Sequence, residues 1–180
     1  MRLSRIILGN TGLGLLLLMG VAEAHAHEVS TVAPPTVAVV HSASWSQGDP
    51  AREGAAELVI LLEIARLRQE GAAGGLIAVG DRRGLFSAGA EEALRRAVLQ
   101  GVPVVKLAVG GRVLPAPHGL FIDGGVLTEA EAGEVLARCL ARYGNLPRRG
   151  QDTATPELHA RLQLFQHEFM LASSTRLAAR

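Results

Sequence analysis

Residues 75–105, GLIAVGDRRGLFSAGAEEALRRAVLQGVPVV, and residues 118–147, HGLFIDGGVLTEAEAGEVLARCLARYGNLP, decide the fold. Leu76–Val79 is a short apolar run of the kind a fully buried strand needs, and the polar, glycine-bearing loop GDRRGLF follows it. Ser87 can cap the helix that comes next, Gly101 closes that helix, and Val102–Leu107 makes a further strand with Pro103 near its start, where a missing N–H is tolerated. Gly119–Ile122 reads as a short strand. Thr128 and Glu131 then have the spacing of a capping box, so a helix is expected from there to Tyr143.

The same alternation extends towards the N-terminus. Thr36–Val40 is a β-branched apolar run, and Asp49-Pro50 is a helix start, with proline at the first position where its lost donor costs nothing. On that helix Leu58, Leu61, Leu62 and Ala65 are expected to face the core, with Glu57, Glu63, Arg66 and Gln69 in solvent. Strands alternating with helices predict an α/β protein: a small flavodoxin-like parallel sheet with helices on both faces, joined by right-handed crossovers. Pro147–Thr155 is a polar linker. Thr155-Pro156 opens a C-terminal helix whose Leu158, Leu162, Phe165 and Phe169 form one stripe, expected to pack on the domain.

The opening residues carry a separate message. Arg2 and Arg5 precede an interrupted apolar run, and Ala22-Glu23-Ala24 and Ala24-His25-Ala26 follow it. This is the pattern of a secretory signal peptide, and the run is shorter than the roughly 20 apolar residues of a membrane span. The expected organisation is a signal peptide over 1–26, a leader over 27–35, the α/β domain over 36–146, a linker over 147–154 and the helix over 155–172, in a periplasmic or secreted protein. The chain has 18 Lys+Arg and 17 Asp+Glu, and removing Arg2, Arg5 and Glu23 leaves sixteen of each. That balance lacks the clustered basic excess that nucleic acid or an anionic membrane surface requires. Cys139 is the sole cysteine, so no intramolecular disulfide can form, and its place beside Val135 and Leu136 suits a small buried hydrophobe.

In open parallel sheets a ligand crevice lies beyond the carboxyl ends of the strands. There the polar groups best placed to face a ligand are His41, Ser42, Ser44, Asp81, Arg82, Arg83 and Ser87, the last offering free backbone N–H groups at a helix start. No cofactor is implied. Processing after Ala24 would expose His25-Ala26-His27, a nitrogen set able to hold Cu(II) or Ni(II), although incidental histidines flanking a cleavage site are the favoured account. His159 and His167, about 12 Å apart along a helix, cannot share an ion.

The strand, glycine loop, helix and Gly101-x-x-Val104-Val105 strand, followed by a short strand and capped helix, resemble the C-terminal domain of the bacterial L-asparaginase/glutaminase family across residues 36–146. The resemblance implies the scaffold without the chemistry. The family's nucleophilic threonine in a "G-G-T" turn and its "G-T-D-T" pair occur nowhere in the chain, and the single lysine, Lys106, lies in the matching strand region. Where the family has a "G-N-G-N" turn, this chain has Gly80-Asp81-Arg82-Arg83-Gly84, and its "S-S-R" is replaced by Leu107-Ala108-Val109. The expectation is an exported module that does not catalyse alone and binds a small amino-acid-like ligand or another subunit, either a second copy or a catalytic partner chain, with no nucleic acid and no membrane after processing. The alternative is a component of an L-asparaginase-type amidohydrolase whose catalytic threonines come from a separate chain.

Overall fold

The computed structural model describes residues 34–41, 50–69, 73–81, 84–108, 119–148 and 155–179, all within one compact unit, Val32–Arg180. The expected signal peptide and leader, and the cap at Asp49, lie outside the described residues or at their margin. The element order is β1 Thr36–His41, α1 Pro50–Gln69, β2 Gly74–Gly80, α2 Ala88–Leu99, β3 Val104–Ala108, β4 Ile122–Asp123, α3 Glu129–Tyr143 and α4 Pro156–Ala178. The fold is α/β, as the alternating pattern predicts: four parallel strands in the order β1-β2-β3-β4. Val39 pairs with Ile77, Val79 with Leu107 and Val105 with Ile122.

Strand order places the helices. When each strand steps to the same side of the last, right-handed crossovers put the connecting helices on one face, and α1 and α2 do pack against each other. Consecutive residues of β2 identify the two faces, because side chains alternate across a strand. A Cβ on Gly74 would meet Leu67 of α1 at 3.2 Å, whereas one on Gly75 would lie 2.8 Å from Leu136 and 3.1 Å from Leu140 of α3. Gly75 therefore lets α3 settle directly on the backbone of the sheet. All seven residues of β2 are buried, as expected of a central strand covered on both faces, while β1 at the edge alternates.

Local signals set the helix ends. Ser87 Oγ accepts from the Ala90 N–H at the start of α2, and Thr128 and Glu131 exchange backbone and side-chain bonds at the start of α3. Thr155 caps α4 ahead of Pro156. Gly101 takes φ +95°, a conformation an L side chain rarely adopts, and turns the chain from α2 into β3.

The α1 reading needs correction. Leu58, Leu61 and Leu62 are exposed (56, 39 and 60 %), as is Ala65, and the buried face is Ile60, Ile64 and Leu67. The segment Leu58-Val59-Ile60-Leu61-Leu62 is apolar all round, so periodicity alone could not choose its inner face. The crossover onto β2 chose it, turning the 60-64-67 stripe towards the sheet. On α4 the expected stripe is the buried one, with Phe165 and Phe169 fully inaccessible. α4 continues to Ala178, beyond the expected end near 172, because no glycine or proline interrupts it. There the Ser174 and Thr175 hydroxyls donate to carbonyls four residues back.

α4 also protects the sheet edge. The Asp123 N–H donates to Gln166 Oε1 at 2.8 Å, and Gln166 Nε2 donates to the Asp123 carbonyl at 3.4 Å, so one side chain takes the place of a further strand beside β4. The charges of α4 turn inward as well: Arg161 donates to the Tyr143 carbonyl, Arg176 pairs with Glu131, and Glu168 meets Arg142 and Tyr143. Among the described residues no helix is long and apolar enough to cross a membrane.

Candidate functional site at the strand ends

The four described strands run in chain order, so no reversal of strand order opens a crevice between them, and any site at their carboxyl ends must be built by loops. His41 closes β1 with a half-exposed side chain whose Nε2 lies 3.4 Å from Glu129 Oε2 in the first turn of α3. That contact brings the end of β1 and the start of α3 together across the rim.

Asp81 has a structural task. Its Oδ1 accepts the Leu85 N–H at 2.9 Å, its own N–H donates to the Leu85 carbonyl at 3.2 Å, and its carbonyl accepts from Gly84 at 2.8 Å. The loop doubles back so tightly that a Cβ on Gly80 would collide with the backbone of Gly84, itself at φ +72°. Ser87, next in the chain, uses its hydroxyl as the α2 cap. Of the seven candidate residues, Ser42, Ser44, Arg82 and Arg83 lie outside the described residues; His41 reaches α3, and Asp81 and Ser87 serve backbone groups within four residues of themselves.

Sequence reasoning left Lys106 without a partner, and the structure supplies one. Its Nζ sits 2.6 Å from both carboxylate oxygens of Glu91 on α2, with only 12 % of the side chain exposed. The ammonium lies 4.2 Å from the ring centre of Phe121 and 5.2 Å from that of Phe86, so two aromatic faces and a carboxylate surround it. The assembly joins β3, α2, the loop after β2 and the turn before β4. Losing Glu91 would leave the largely buried ammonium without its counter-charge, which costs more than the pair contributes, whereas Glu91, 37 % exposed, keeps its access to water. The available signal was a single lysine inside the apolar strand VVKLA, a residue that demands an anion once buried.

Two other groups bear on the chemistry. Cys139 is buried, and burial, followed by the negative charge of Glu168, pushes its thiol up to about 11, so it stays protonated and non-nucleophilic at neutral pH. The described residues contain no group of three or more His, Cys, Asp or Glu side chains placed to hold a metal ion, and His25 and His27 lie outside them.

These features define the class: a parallel α/β domain with one lysine–glutamate pair between β3 and α2. No protein-family model and no curated protein matches the chain. Among solved structures it is similar to a probable cytoplasmic L-asparaginase from Campylobacter jejuni, at 15 % sequence identity and a TM-score of 0.49, over 76 % of this chain and 34 % of that one. The chain thus spans about a third of the length of that protein.

Proposed function

We propose that the protein is an exported module resembling an asparaginase C-terminal domain, which does not hydrolyse amides alone and serves to bind a small molecule or another subunit. The observation that carries this reading is the engagement of its would-be reactive groups. Amide hydrolysis by a hydroxyl needs a base to remove the proton and donors aimed at the oxyanion. Ser87, the candidate hydroxyl that the structure describes, accepts a backbone N–H as a helix cap, and the single lysine is held by both oxygens of Glu91. Motif order along residues 36–146 supports the lineage, and the basic, apolar, A-x-A opening supports export.

The test is ammonia release from asparagine and glutamine by the exported chain, its processing checked as an intact mass lacking the first 24 or 26 residues. The expected result is release no faster than from buffer. Turnover that Ser87→Ala abolishes while the fold survives would overturn the reading and make the rim an active site.

A further inference from the structure

Away from the strand ends, α3 and α4 form an open pocket of about 410 Å³ lined by Val135, Arg138, Cys139, Ala141, Arg142, Tyr143 and Glu168. That volume falls in the range of small-molecule sites. Its inner wall is apolar, formed by the buried Val135 and the neutral thiol of Cys139. Its polar wall is already ordered. Tyr143 donates its hydroxyl to Glu168 Oε1 at 2.8 Å and Arg142 Nη1 donates to the same oxygen at 3.2 Å, which fixes the phenol and one guanidinium against α4.

The charges in this pocket do not balance. Glu168 is the single carboxylate in a lining that holds two arginines, Arg138 and Arg142. Arg142 spends one of its N–H groups on Glu168 and remains 70 % exposed, and Arg138 has no ion-pair or hydrogen-bond partner among the described residues. The two arginines stand four residues apart, so they are neighbours on one helix face and repel each other. An anion between them would remove that repulsion and take up the unused donors, and the planar guanidinium fork matches a carboxylate in two parallel hydrogen bonds. The apolar wall beside them would cover a hydrocarbon body, not a second charge.

We propose that the α3–α4 pocket is a binding site for a small monocarboxylate with an apolar body, its carboxylate held by Arg138 and Arg142 and its hydrocarbon part lying against Val135 and Cys139. The site is separate from the strand-end rim, so its failure would leave the amidohydrolase-lineage reading untouched, and the reverse also holds.

The probes are 2-naphthoate and its uncharged counterpart 2-naphthylmethanol, titrated calorimetrically into the full chain, with amide-shift mapping to locate them. Naphthoate is expected to bind more tightly than the alcohol, with shifts concentrated on residues 135–143 and Glu168. Arg138→Gln, a change at an exposed side chain, should weaken naphthoate about tenfold or more while leaving the alcohol unchanged, the size expected for losing a hydrogen-bonded charge. Arg142→Gln should weaken it too and also loosen Glu168. Equal affinity for the two probes, naphthoate binding indifferent to Arg138→Gln, or shifts centred on the exposed Leu58–Leu62 face of α1 would each overturn the proposal.

Discussion

α1 and α4 are the two longest helices among the described residues, 20 and 23 residues, and they divide their apolar side chains in opposite ways. α4 concentrates its largest ones, Phe165 and Phe169 with Leu158 and Leu162, on a single buried stripe. Among its described side chains α1 buries Ile60, Ile64 and Leu67 and leaves Leu58, Val59, Leu61 and Leu62 in solvent, its leucines spread around the circumference. A stripe of bulky residues at 4-3-4 spacing admits one orientation of the helix. A helix that is apolar all round admits several, and the neighbouring elements select among them.

The largest effect should come from breaking α4. Phe165→Ala or Phe169→Ala is expected to cost about 3–5 kcal/mol, because each ring is fully buried and its removal leaves a cavity against α3 and the sheet. Urea unfolding with light scattering checks this: a lowered midpoint at unchanged mass is the expected result. An unchanged midpoint with altered mass would make α4 an association surface.

The paired test on α1 sharpens the comparison. Ile60→Ala should cost about 2–5 kcal/mol, and Leu62→Ala, an equally apolar change at a 60 % exposed position, should stay within about 0.5 kcal/mol. Similar losses from both would mean that the outer face of α1 is covered in solution.

The smallest effect is a pH dependence on the α3 side of α4. Cys139 has its thiol raised from 9.0 to about 11 in the folded chain, so the unfolded thiol ionises first. Its contribution is therefore present in full below pH 9 and is lost as pH rises from 9 through 11. The Tyr143 phenol, raised from 10.0 chiefly by its hydrogen bond to Glu168, acts in the same direction as pH rises above 10.0. Chemical denaturation at about pH 8 and about pH 10 should show a shallower alkaline decline in Cys139→Ala than in the parent chain. Identical slopes would mean that the thiol is not shielded from water when folded.

The legible parts of the fold share a physical character. Ser87, the Thr128–Glu131 box and Thr155-Pro156 were readable because a cap acts within three residues of itself, so chain order carries the whole interaction. The strands were readable because β2 and β3, covered on both faces, must be apolar runs. Their ends were less so: β3 begins at Val104, not Val102, since the pairing with Leu76 starts there. At the strand-end rim the sequence pointed to the loops but not to the use made of Asp81. Its bonds to Leu85 depend on a backbone reversal that the letters Gly80-Asp81-Arg82-Arg83-Gly84 do not specify uniquely. Lys106 is the clearest omission. Its partner Glu91 is 15 residues away on another element, and its aromatic neighbours come from two further segments.

By itself the sequence determined the α/β class, the succession of strands and helices, and which stripe of α4 turns inward, because these rest on periodicity and on interactions between near neighbours. Tertiary structure alone decided which face of α1 is buried, the closure of the β4 edge by Gln166, the enclosure of Lys106 by Glu91 and two phenylalanines, and the meeting of Arg142 and Tyr143 with Glu168 between α3 and α4. Each of these depends on segments brought together by strand order and crossover direction, and a residue's own neighbours in the chain carry no record of what arrives from across the sheet.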